Sequence, residues 1–403
     1  MKSLFVQIHF LTSYPATLLN RDDAGMAKRI PFGGAVRTRI SSQCLKRHWR
    51  TSDGADSLSE LGVPMSVRSR LSFEKYVFQP LMDGGTKEEV AREVTSALMR
   101  RILGQSEKAK KSSDKDKDVP GTLQTAQVTV LGRAELDYAR SLAQEICTAV
   151  ASADRAKVDA AVKERLGREG SKNLQALAKA AGLDAALFGR MVTSDLLSKG
   201  DAAVHVAHAF TVHAEASESD YFSAVDDLLR EEDVEELGSG HIGNVELTSG
   251  LYYGYVVVDV PLLVSNLEGC PRQDWAVADK KLSADVVGRL VRLIATVSPG
   301  AKLGSTAPYS YAHCLMVEAG SAQPRTLANA FLKPVAERPD LLANTYAALG
   351  SYLKQADEMY GHPSERSLTG IGPIAPLLGA LSMERPVTLD ALASWAGATV
   401  TGK

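Results

Sequence analysis

Eight cationic side chains fall between Asn20 and Arg50, in NRDDAGMAKRIPFGGAVRTRISSQCLKRHWR: Arg21, Lys28, Arg29, Arg37, Arg39, Lys46, Arg47 and Arg50. Only Asp22 and Asp23 oppose them, so the stretch carries +6 in a chain of formal charge -2, and the rest sums to -8. Cations segregated in this way point to a polyanionic partner. Their order adds geometry. Val36, Thr38 and Ile40 alternate with Arg37 and Arg39, which predicts a strand holding both guanidinium groups away from the core. Ser41-Ser42 then precedes a helical pattern in which Gln43, Lys46, Arg47 and Arg50 share one face and Leu45, His48 and Trp49 the other. A serine-capped helix start offers backbone N–H groups and partial positive charge to a phosphate oxygen. The Gly33-Gly34 turn allows close backbone approach. Strand, cap and helix face are thus expected to converge on one phosphate-binding groove; a solvated basic face is the alternative.

Other chemistry is less favoured. His205, His208 and His213 do not fall on one side of a strand or one ridge of a helix, so no metal site is expected. Cys44, Cys147, Cys270 and Cys314 are far apart, without a C-x-x-C pair or a disulfide framework. The glycines of GIGPIAPLLG are interrupted by proline and are read as following no strand and preceding no clear helix, which excludes a dinucleotide fingerprint. No cofactor is implied.

The elements that must position the basic block follow from length and pattern. With 403 residues, 45% hydrophobic and 23% charged, the chain has the balance of a globular protein and room for a large core. No run approaches the ~20 apolar residues of a membrane span, so no membrane association and a cytoplasmic location are expected. Leu4 to Phe10 is nearly apolar on both faces and predicts a central first strand. Thr86 and Glu89 are read as a capping box that starts a helix, and helical patterns continue from Glu135 through Ala181. Between them Glu107 to Asp118 is a charged loop, solvated or adding phosphate contacts through Lys108, Lys110, Lys111, Lys115 and Lys117. Ala185 to Thr193, AALFGRMVT, predicts a return strand. Tyr221-Phe222 places paired aromatics in a polar segment, where they stack on bases or pack on their own loop. Asp226 to Glu236 holds seven acids and one Arg, and its complementarity to the basic block suggests head-to-tail association of copies. LYYGYVVVDV (Leu251 to Val260) predicts the strongest strand, and Ser283 caps a predicted helix carrying Val286, Val287, Leu290, Val291 and Ile294. A strand at Tyr311 to Val317 and helices at Arg325 to Phe331, Leu341 to Tyr360 and Leu389 to Trp395 complete an α+β chain.

The string LLNRDDAGMAKRIPFGGAVRTRISSQCLKRHWR, with N-R-D-D, F-G-G, R-x-R and S-S-Q-x-L-K-R in order, resembles the amino-terminal signature of the CasC-type backbone subunit of the type I-E CRISPR effector complex, Cascade. The resemblance spans most of the chain, most densely at 17-50 and 186-255. It implies an RRM-like (modified ferredoxin-like) palm with a helical fingers insertion and a long thumb loop or hairpin. The boundaries it suggests are 1-57 for the first palm part, 58-184 for fingers, 185-205 for a palm strand, 206-248 for the thumb and 249-403 for the second palm part with C-terminal helices. By the same resemblance the chain is non-catalytic and polymerises along the spacer of a CRISPR RNA, which it presents for pairing with target DNA. Its partners are then CRISPR RNA, target DNA, other copies of itself and the large, small, guide-end-capping and RNA-processing Cascade subunits. Guide contacts are expected from Asn20, Arg21, Lys28, Arg37, Arg39, Ser41, Ser42, Gln43, Lys46 and Arg50, with Met191 wedging between nucleotides and Tyr221 and Phe222 in the thumb wedge. Two rivals stay open: a CRISPR RNA-processing ribonuclease of related fold using His9, His48 or His241, and a generic RNA-binding structural protein.

Overall fold

The first strand organises the fold as its sequence predicts. In this computed structural model, which describes residues 4–104, 123–150, 152–167, 170, 172–174, 177, 181–190, 194, 196–197, 200–224, 241–361 and 364–402, β1 (Phe5–Thr17) is buried along both faces. Backbone contacts divide the chain into two units, Met1–Leu58 with His205–Val260 and Lys280–Lys403, and Ser59–Val204 with Pro261–Asp279.

The first unit carries an antiparallel sheet. Besides the short Val204–Val206, its strands are β1, β2 (Arg29–Phe32), β3 (Ala35–Ile40), β4 (Ala209–Thr211), β5 (Ser217–Ala224), β6 (His241–Asp259), β7 (Cys314–Gly320) and β8 (Ser364–Gly370). Seven of them lie in the order β8-β7-β1-β6-β4-β3-β2, and β5 pairs with β6. Register is continuous from Phe5 opposite Asp259 to Tyr14 opposite Gly250, and a one-residue slip would carry buried Gln7 and His9 onto the face that Val6, Ile8 and Phe10 occupy. The longer helices are α1 (Ser42–Thr51), α2 (Lys281–Thr296), α3 (Leu341–Tyr360) and α4 (Leu389–Thr401). Leu11, Tyr253, Met316 and Leu368 of the sheet form one core with Tyr346, Leu349 and Leu353 of α3. Val6, Ile8 and Phe10 have the opposite parity on β1 and are also buried, and α2, which packs on β1, packs also on α1 and α4.

Several boundaries differ from the sequence reading. The α2 helix begins at Lys281, and Ser283 is buried inside its first turn rather than capping it. A strand, β8, does lead into GIGPIAPLLG, and a short helix, Ala375–Leu381, begins within it. Since β8 is paired antiparallel to β7 at the sheet edge, the parallel βαβ unit that a dinucleotide fingerprint needs is missing there.

In the second unit the helices Glu88–Leu103, Arg133–Ala149 and Arg155–Arg165 share one apolar core. The first has Lys87 at its N-cap with no side-chain hydrogen bond, so Thr86 does not make the expected capping box. Leu183–Phe188 is a helix, not the predicted strand. Buried Asp184 fixes it, accepting from the Ser66 backbone N–H at 2.7 Å, the Ser66 hydroxyl at 2.8 Å and Arg68 Nε at 2.9 Å. A short apolar run does not distinguish helix from strand by periodicity, and here the carboxylate decides. Met191 and the lysines 108, 110, 111, 115 and 117 lie outside the described residues.

Candidate nucleic-acid interface

The basic block folds as a loop, a hairpin and a capped helix, each tied to the next by local hydrogen bonds. The Asn20 carbonyl accepts from the Lys28 N–H at 2.9 Å, closing the loop that carries Arg21. Its side-chain Oδ1 accepts from the Ser41 N–H at 2.9 Å, so the same residue joins that loop to the start of α1. Ser41 is the N-cap: its Oγ accepts from the Cys44 N–H at 3.3 Å, satisfying one of the helix's free donors. Leu45 and Trp49 are buried, while Gln43 and Arg47 are exposed and Lys46 and Arg50 half-buried. The amphipathic reading of this helix is therefore correct. His48 hydrogen-bonds the Cys44 carbonyl through Nδ1 at 2.8 Å, and its Nε2 accepts from Gly300 N–H at 3.4 Å.

The two strand arginines part company. Arg37 is fully buried, where sequence alternation predicted a surface residue. Its guanidinium donates to the carbonyls of Thr211 and Phe331 at 2.9 Å and of His213 at 3.3 Å. It fastens β3 to chain segments far away in sequence and offers no surface for RNA. Arg39 stays half-exposed, donating to the Arg29 carbonyl at 3.2 Å and meeting His208 Nδ1 at 3.0 Å. Burial, and after it the charges of Arg39 and Lys28, lower the His208 pKa from its ordinary value, so this ring is neutral at pH 7 and accepts from Arg39. Burial pushes the Cys44 thiol up to about 11 against the opposing pull of Arg47 and Lys28, so it is not a thiolate nucleophile. Lys28 thus acts on both His208, with Arg39, and Cys44, with Arg47. Arg29 is instead neutralised by ion pairs to Glu215 and Glu246, a pairing that no local pattern signals.

The turn glycines have different duties. A Cβ on Gly33, whose φ is +62°, would lie 1.4 Å from the Leu332 carbonyl oxygen, whereas Gly34 faces open space. The close approach that the turn permits is to the chain itself at Gly33, and only Gly34 leaves room for a ligand.

The predicted thumb contains a hairpin. Ser217 to Ala224 pairs residue by residue with His241 to Thr248, the part of β6 that precedes its main pairing with β1. Tyr221 is 65% exposed and Phe222 41% exposed. Phe222 sits opposite Gly243, and a Cβ there would lie 2.2 Å from its ring. The phenyl group covers the glycine across the strand pair, while Tyr221, on the other face, is left available for stacking. The acidic run Asp226 to Glu236 lies outside the described residues.

His9 and His241 stand far apart along the sheet. His9 faces Tyr255 on β6 and is buried with its Nε2 donating to Glu318 at 3.1 Å. His241 lies fourteen residues earlier on that strand, roughly 45 Å away at strand spacing. His213 is buried, with Nδ1 donating to the Ala214 carbonyl at 2.7 Å and Nε2 accepting from Leu251 N–H at 3.2 Å. Among the described residues no group of three His, Cys, Asp or Glu could hold a metal ion, and no helix is long and apolar enough to cross a membrane.

A family model described as CT1975-like protein matches residues 6–395. Among solved structures, a chain of a "CRISPR RNA-guided surveillance complex, pre-nicking" is similar with a TM-score of 0.74 and 24% identity, covering 97% of this chain and 100% of that one. A chain of a "CRISPR RNA-guided surveillance complex" is similar with a TM-score of 0.67 and 21% identity over 98% and 99%. At these identities the likeness is one of fold. No curated protein matches.

Proposed function

This chain belongs to the CT1975-like protein family, and from that premise we propose that it is a non-catalytic subunit of a Cascade-type, type I-E surveillance complex that holds the guide RNA by its sugar-phosphate backbone. The observation that carries the proposal is the cluster of Arg21, Lys28, Arg39, Lys46, Arg47 and Arg50 on the loop, β3 and the Ser41-capped helix, with Arg37 withdrawn into the core. Cations on a rigid strand and helix face suit phosphates spaced along a strand, and such contacts position a nucleic acid without reading its sequence. Base pairing of the guide with target DNA then supplies specificity.

The palm reading has support in the strand order. The sequence β7-β1-β6-β4 within the sheet, with α1 between β1 and β4 and α2 between β6 and β7, is the arrangement of a split βαβ, ferredoxin-like core. The strand pair β2-β3 extends it beyond β4 and carries Arg39. In this reading the β5-β6 hairpin is the thumb, Tyr221 stacks on a nucleotide base, and successive copies associate head to tail along the spacer alongside the other Cascade subunits.

The test is equilibrium binding of the purified chain to single-stranded RNAs of equal length and unrelated sequence. Affinities are expected to agree within about three-fold, less than the ~1 kcal/mol that a single specific base contact contributes. A ten-fold preference for one sequence would replace backbone holding with base readout.

A further inference from the structure

On the face of the sheet that α3 covers, a cavity of about 660 Å³ opens beside β1, away from the basic helix face. Its size falls within the roughly 300–1,000 Å³ typical of small-molecule sites. Gln7 is 4% exposed and lines it. The Gln7 Oε1 accepts from Tyr255 hydroxyl at 2.6 Å and from Arg325 backbone N–H at 2.8 Å. Since a backbone N–H can only donate, the orientation of the amide is fixed. Its NH2 group makes no hydrogen bond among the described residues and is open to the cavity rather than enclosed, so it can donate to an acceptor that enters in place of water.

The walls define the chemistry of that acceptor. Arg325 is the cation lining the cavity, but it donates to Glu318 at 2.9 Å and to Asp357 at 3.4 Å. Arg366 joins the same two carboxylates, so two positive and two negative groups balance. A phosphate or carboxylate therefore gains little there. Tyr352, Ala356 and Tyr360 occupy one stripe of α3 at successive i, i+4 positions and line the cavity. The alanine leaves a slot between two aromatic residues. An uncharged planar ring suits this lining, presenting carbonyl or imine acceptors to Gln7 and a face to a tyrosine.

We propose that the cavity bounded by Gln7, Arg325, Tyr352, Ala356 and Tyr360 binds a nucleobase. The base comes either from a free nucleoside or nucleotide or from an unstacked position of a bound strand. The site stands apart from the α1 cations, and its test uses ligands without phosphate, so its failure leaves the backbone-holding reading untouched and the reverse also holds.

The experiment is saturation-transfer NMR and calorimetry of the full chain with adenosine, guanosine, cytidine and uridine. Binding of at least one nucleoside is expected. Replacing the exposed Tyr360 by Ala should weaken it about ten-fold, the effect of removing one stacked ring. Ala356→Phe, filling the slot, should abolish it. Gln7→Glu keeps the oxygen that accepts from Tyr255 and Arg325 while removing the donors, and should lower affinity for the same nucleoside. A parallel photo-crosslink uses single-stranded RNA carrying 5-iodouridine. Attachment at Tyr352 or Tyr360 assigns the base to a strand; nucleoside binding without attachment assigns it to a free ligand. Absence of both, affinity indifferent to Tyr360→Ala and Ala356→Phe, or capture of tyrosinamide in preference to every nucleoside overturns the proposal.

Discussion

Replacing Glu318 by Gln is expected to destabilise the folded chain by about 3–5 kcal/mol at pH 7, the usual cost of removing one partner from a buried ion pair. Glu318 lies on β7, fully buried, opposite Gln7 on β1 and Arg366 on β8. Its carboxylate accepts from Arg366 Nε at 2.6 Å, from Arg325 at 2.9 Å and from His9 at 3.1 Å. Burial alone would raise its pKa, but the His9 hydrogen bond and the charges of Arg366 and Arg325 together hold it well below the ordinary carboxylate value of 4.5. The sign of the pH effect follows. A carboxyl whose folded pKa is depressed contributes stability that is fully present above its unfolded pKa and lost as pH falls toward the folded value. Urea titrations of the wild type and Glu318→Gln should therefore differ most near neutrality and begin to converge only as pH falls below about 4.5, the ordinary value. A difference under ~1 kcal/mol at pH 7, or one that grows in acid, would show that the network is not coupled as its geometry requires.

Replacing Lys46 and Arg50 together by Ala is expected to weaken RNA binding about ten-fold per cation, the low end for charge-assisted hydrogen bonds. The factor should be the same for unrelated sequences. The slope of log affinity against log salt should fall by about 0.7 for each single-strand phosphate that is no longer neutralised. Both residues sit on the outward face of α1, whose buried side is Leu45 and Trp49, so the fold is expected to tolerate the change. A weakening confined to some sequences, or an unchanged salt slope, would count against phosphate binding by this helix.

What the sequence made legible was local. The Ser41 cap and the amphipathic spacing of α1 depend on residues within one or two turns. The length of α3, Leu341 to Tyr360, follows from its own periodicity. The central place of β1 follows from its two apolar faces. What was hidden was tertiary. Nothing near Arg37 in sequence announces that carbonyls at Thr211, His213 and Phe331 will enclose its guanidinium. Nor does the pattern around Leu183–Phe188 reveal that Asp184 will be anchored by Ser66 and Arg68 into a helix. The sequence set paired aromatics at Tyr221 and Phe222 in a polar segment, free to stack on bases or to pack on their own loop, and only the register with Gly243 separates the ring that packs from the ring left exposed.

The most direct measurement is of the RNA that the chain carries. The protein is co-expressed with a CRISPR array and the neighbouring genes, purified through a tag on this chain alone, and the bound RNA is sequenced. The account predicts a single repeat-flanked species of uniform length in a particle holding several copies of the chain, with spacers represented irrespective of their sequence. Heterogeneous cellular RNA, or a monomer without RNA, would contradict it.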